Sequence, residues 1–198
     1  MKTPYSTTDK TIKYLSNQII KLFRRTMPAD ELNVIQLSHE IYDGVYELAK
    51  REATRLAEVV YRGYRKSEGA VFDAAGFVLA LILAYNPVTK YVFENEIDRK
   101  RARFAESVIA SNTPAEEIAL AKRLLIATNV QFLDDVTFDT MIAAYRDNGT
   151  KEVRWVTAED DKRCKECKSR HGKIYRIDKI PPKPHLHCRC WVEEVEEV

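Results

Sequence analysis

All four cysteines of this chain fall between Cys164 and Cys190, and three of its four histidines lie in the same window. The segment runs Cys164-Lys-Glu-Cys167, then Pro181-Pro-Lys-Pro-His185-Leu-His187-Cys188-Arg-Cys190. Soft sulfur and imidazole donors crowded this closely are what a tetrahedral metal site needs, and such a site ties separate turns to one point. A Cys-x-x-Cys turn presents two thiolates to one ion, and Gly172 lets the chain double back after it. The second pair must come from the His185-x-x-Cys188 and Cys188-x-Cys190 spacings. Five good donors, Cys164, Cys167, His185, Cys188 and Cys190, compete for four positions, so one of Cys188, Cys190 or His185 is surplus. His187 and His171 are weaker candidates.

The expected cofactor is one structural zinc ion per chain. Structural zinc contributes about 10–16 kcal/mol, which rivals the ~5–15 kcal/mol stability of a whole domain. A module of roughly 45 residues with few large apolar side chains needs such a staple. Three other fates for the cysteines compete with it: disulfides, reduced thiols in a small core, or a redox pair. The start Met1-Lys2-Thr3-Pro4-Tyr5 lacks the apolar run of a secretory leader, which favours reduced thiols. No βαβ pattern precedes the Cys-x-x-Cys, which argues against redox chemistry. A site this rich in thiolates closes its coordination sphere, so catalytic zinc is not expected.

Composition sets the remaining bounds. At 198 residues, with 45% hydrophobic and 31% charged residues, the chain has the material of one ordinary globular domain or a domain with an appendage. A formal net charge of +2 is too small to argue for nucleic acid by itself. The greasiest stretch, Phe77 to Tyr85, is far shorter than the ~20 residues of a membrane span, so a buried helix is expected and no membrane partner.

Apolar periodicity predicts a mainly α fold. Ile12, Leu15, Ile19 and Leu22 give a first helix one apolar face, with Thr8-Asp9 as its cap. A longer helix is expected from about Asp30 to Lys66. Leu32, Ile35, Ile41, Val45, Leu48, Leu56 and Val59 form its stripe, and Lys50, Arg51, Glu52 and Arg55 face outward. Gly44 and Gly63 mark close packing or a bend along it. A third helix, about Val71 to Tyr85, is apolar on most sides and is expected at the centre. An exposed basic helix is expected from Asp98 to Ala110. Thr113, Pro114 and Glu116 form a capping box for a further helix that ends at Asn148-Gly149. Val153–Thr157, Lys173–Ile177 and Trp191-Val192 then read as short strands. The expected organisation is an α-helical body over residues 1–149 and a small β-rich zinc-binding module over 150–198.

The run Trp155-Val-Thr157-Ala-Glu-Asp160, Cys164-Lys-Glu-Cys167, Gly172-Lys-Ile-Tyr, Pro181-Pro182, His185-Leu-His-Cys188-Arg-Cys190 resembles the C-terminal signature of the phage Mu F-type minor head proteins, the phage head morphogenesis family. Ala127-Thr128-Asn129 stands where that family often has Arg-Thr-Glu, and His171 where it tends to have Asp or Asn. Pro184 is an extra residue before the histidine. None of these changes touches a candidate ligand. The resemblance implies a minor structural protein of a tailed phage or prophage, inside the head and near the portal vertex. Its implied partners are the portal protein and other capsid proteins, with packaged DNA as a further contact. It implies a place in the virion interior and, during assembly, in the host cytoplasm. Eight residues follow Cys190, so no toxin or nuclease domain is expected after the signature.

Catalysis finds little support. Asp134-Asp135 and Asp160-Asp161 are sequence neighbours and cannot flank a substrate, and His39 sits among helix neighbours that point elsewhere. No glycine-rich phosphate loop or nucleophile signature is present, so no enzyme and no small-molecule substrate are expected. The alternative is a zinc ribbon that binds nucleic acid through Lys162, Arg163, Lys165, Lys168, Arg170 and Lys173. The acidic Glu193, Glu194, Glu196 and Glu197 argue against DNA on their edge.

Overall fold

A computed structural model describes residues 5–26, 34–66, 71–84, 126–157, 164–185 and 187–195, with isolated positions at 106, 110, 116 and 119. Helices α1 (Tyr5–Thr26), α2 (Val34–Tyr64), α3 (Ala74–Ala84) and α4 (Ala127–Asp147) come first. Strand β1 (Glu152–Val156), the short helix α5 (Lys165–Arg170), and strands β2 (Ile174–Arg176) and β3 (Trp191–Glu194) follow. The fold is mainly α, as expected. The expected basic helix at 98–110, the residues Thr113 and Pro114 of the capping box, and the side chains of Ile35, His39 and Ile41 lie outside the described residues.

Helix α1 buries Leu15 and Ile19 on the face their spacing specified. Its expected cap is corrected, because Thr8 lies one turn inside the helix. There its hydroxyl is buried and shares a 2.7 Å hydrogen bond with Thr137 of α4. A threonine read locally looks like a cap, whereas a tertiary partner lets it sit inside a helix. Helix α2 packs on both α1 and α4. Its buried face is Val45, Ala49, Ala53, Leu56, Ala57 and Val60. Small alanines at four-residue steps let helix backbones approach closely. The expected stripe was therefore rotated: Val59 is 52% exposed. Glu52, expected outward, is buried, with its carboxylate accepting from Arg51 and Arg55 at 3.4 and 3.3 Å. Gly44 does mark close packing, since a Cβ there would lie 3.2 Å from Leu22 of α1.

Helix α3 is not central among the described residues. Ala74 and Val78 are buried, but Leu79 and Leu83 are 44% and 59% exposed. Uniform hydrophobicity marks no inner face, so it cannot place a helix. Phe72, just before it, stacks on Tyr61 of α2 with ring centroids 4.0 Å apart.

Helix α4 ends as its Asn-Gly predicts. Gly149 has φ of 79° and its N–H donates to the Arg146 carbonyl, while Thr150 N–H reaches the Tyr145 carbonyl. That pairing is a Schellman stop, and the positive φ favours glycine. The Asn148 side chain spans to the end of α2, donating to the Tyr64 carbonyl and accepting from Lys66 N–H. The chain then enters β1, the middle strand of the order β2-β1-β3. Both pairings are antiparallel, with Val153 opposite Tyr175 and Trp155 opposite Val192. Val153, Trp155 and Val192 are wholly buried and join the helices in one continuous apolar cluster. Trp155 meets Phe138 of α4 edge-on at 5.7 Å.

Candidate metal centre

The first cysteine pair is built by α5. Cys164 is its N-cap and accepts the Cys167 N–H on sulfur at 3.2 Å. Cys167 then lies one turn on, buried. Gly172, at φ 77°, turns the chain back into β2, as its position suggested. The second set lies on the loop before β3. His187 there has φ of 55°, a left-handed conformation uncommon for any residue but glycine. It lies between His185 and Cys188, which both approach Cys167.

The Cys167 sulfur lies 3.2 Å from His185 Nε2 and 3.8 Å from the Cys188 sulfur. A zinc–sulfur bond of ~2.3 Å in a tetrahedron makes a sulfur–sulfur edge of about 3.8 Å. A disulfide needs about 2.05 Å, so the spacing is that of co-ligands. All four cysteines are free thiols. The five expected donors fall into two triads that share Cys167: Cys164, Cys167 and His185, and Cys167, Cys188 and Cys190. Within each triad the ligand atoms lie within 4.8 Å of one another. This cluster could hold a metal ion.

Its protonation chemistry fits that use. A hydrogen bond from Cys190 pulls the Cys188 thiol down to about 6. Burial is the main cause that pushes Cys167 up to about 12. Cys190 is raised too, first by its bond with Cys188 and then by burial, with the Trp155 side chain pulling the other way. Backbone N–H from Cys167 lowers half-buried Cys164. Packed thiols resist sharing several negative charges, and a bound divalent cation removes that resistance. Neither weaker histidine joins a triad. His171 accepts from Thr157 N–H at 3.2 Å, and His187 N–H donates to Gln131 Oε1.

The structure adds residues that spacing did not single out. Lys183 is folded beneath the loop, its ammonium donating to the Asp134 carbonyl at 3.0 Å and lying 3.5 Å from Asp135. The same ammonium sits over the rings of Tyr5 and Phe138. Tyr5 of α1 donates its hydroxyl to the Cys190 carbonyl at 2.8 Å, and Arg189 pairs with Asp9 at 3.0 Å. The loop from Pro181 to Cys190 is thus fastened to α1 and α4. No local signal marks Tyr5 or Asp9, which lie 185 and 180 residues from their partners. Arg170 of the basic set is used internally, 5.2 Å above the Trp155 ring and bonded to the Pro182 carbonyl and Glu166. Lys165, Lys168 and Lys173 remain exposed.

Among the described residues, no helix is long and apolar enough to cross a membrane. No curated protein and no solved structure matches the chain. Residues 111–193 match the family described as Phage Mu protein F like protein, a span holding β1, α5 and all five donors. What that match shows is that residues 111–193, under half of the chain, are similar to the Phage Mu F-like proteins.

Proposed function

We propose that this chain is a minor head protein of a tailed phage or prophage, acting in head morphogenesis inside the capsid close to the portal. Four of Cys164, Cys167, His185, Cys188 and Cys190 bind one structural zinc ion that closes the end of the family segment. Its partners are the portal and other capsid proteins, and it performs no catalysis. The observation that carries this reading is the coincidence of the Phage Mu F-like span with the cysteine cluster. A head protein must survive packing and pressure without turnover, and a closed metal site serves that need better than an open one.

Mass spectrometry of purified virions and procapsids tests the assignment. The chain should be present in few copies per particle and should co-purify with the portal. Its absence from both particles, while abundant in the lysate, overturns the reading. Tight, salt-sensitive DNA binding that is lost on charge reversal at Lys165 and Lys168 would support a nucleic-acid-binding role instead.

A further inference from the structure

Trp155 is fully buried in the middle strand, boxed in by Phe138, Tyr175 and the Arg170 guanidinium. Its ring is held firmly, yet its indole N–H makes no hydrogen bond. Buried donors without a partner are rare, and each calls for an explanation. Strand register supplies one. Trp155 lies opposite Val192, and the register carried one residue past the start of β3 puts Cys190, two residues before Val192, diagonal to it on the same face. As a thiol the Cys190 sulfur is a weak acceptor. A thiolate is a strong, charge-assisted one. A metal ligand is a thiolate at neutral pH.

We infer that Trp155 is a positioning residue for the metal centre, its indole N–H donating to the Cys190 sulfur once that sulfur binds the ion. The inference rests on the structural-zinc reading above and deepens it. It places Cys190 inside the ligand set, so the surplus donor is Cys188 or His185. The only hydrogen-bond donor on this indole is then satisfied in the loaded protein and left wanting in the empty one. Partners of this kind, bonded to a ligand rather than to the metal, fix ligand orientation and change affinity markedly.

Nuclear magnetic resonance of the full chain loaded with cadmium tests this without a substitution. The Trp155 indole proton should show scalar coupling to the metal nucleus through the sulfur and should shift downfield on loading. Trp155→Phe, which leaves a smaller aromatic ring and removes the N–H, should bind zinc about 10-fold more weakly in a chelator competition. If that variant fails to fold, the coupling in the unsubstituted protein still decides. Cadmium bound with the indole proton uncoupled and unshifted overturns the pairing alone. No metal bound by the unsubstituted protein overturns the zinc reading and the pairing with it.

Discussion

Along α2, Val45, Ala49, Ala53, Leu56 and Val60 turn one apolar face to α1 and α4, whereas the loop from Pro181 to Cys190 reaches the same helices through single polar ties. Lys183 reaches the Asp134 carbonyl, His187 reaches Gln131, Arg189 reaches Asp9, and Tyr5 reaches the Cys190 carbonyl. The first region is secured by many small contributions, none indispensable. The second has few contacts, several of them exposed, and exposed ion pairs contribute only ~0–1 kcal/mol. A helix packed like α2 loses stability in proportion to what is removed from it. A loop held by a few ties fails all at once.

The largest effect is expected at the residue both triads share. Cys167→Ala should abolish zinc binding and collapse amide-exchange protection across residues 164–195, while α1, α2 and α4 keep their helicity. Metal analysis together with hydrogen exchange checks this. Retention of a full equivalent of zinc would remove Cys167 from the centre. Next comes Leu56→Ala, which opens a cavity in the helical layer and should cost about 2–5 kcal/mol in denaturant titration. Its metal content should stay unchanged, and a parallel loss of zinc would erase the distinction between the two regions.

The smallest effect concerns Asp139 on α4, whose carboxyl is pushed up to about 6, chiefly by burial. Because its folded value is raised above the ordinary 3.8, the folded state holds its proton more tightly than the unfolded chain does. Its ionisation therefore costs stability as pH rises from about 3.8 to about 6, and the full cost is present above that window. Asp139→Asn should stabilise the protein by about 1 kcal/mol at pH 7, after allowance for solvent screening of a partly exposed group. The gain should vanish below pH ~4. Thermal melts at the two pH values read the difference, and an equal gain at both would mean that charge is not its cause.

Much of the site was legible because its chemistry is local. The Cys-x-x-Cys spacing, the turn at Gly172 and the donor set from His185 to Cys190 can be read without knowing the fold, and the structure brings the five donors together. The strands at Val153, Ile174 and Trp191 were readable as short β-branched and aromatic runs. The helix faces were less so. Glu52 lies buried in α2 despite its charge, because neighbouring guanidinium groups satisfy it. Leu79 and Leu83 lie exposed despite their hydrophobicity, since an unbroken apolar run carries no phase. Tyr5, Lys183 and Trp155 were missed as neighbours of the cysteine cluster for a different reason. Their roles come from tertiary approach, which leaves no mark in spacing along the chain.

The hydroxyl that Tyr5 gives to Cys190 also sets an order of events during synthesis. Helix α1 leaves the ribosome first, yet its acceptor is made 185 residues later, together with the arginine that Asp9 awaits. Contacts of such long sequence separation form late and slow the final closure. The described fold is therefore expected to close only after translation has passed Cys190, when α1 can dock against the loop that carries it.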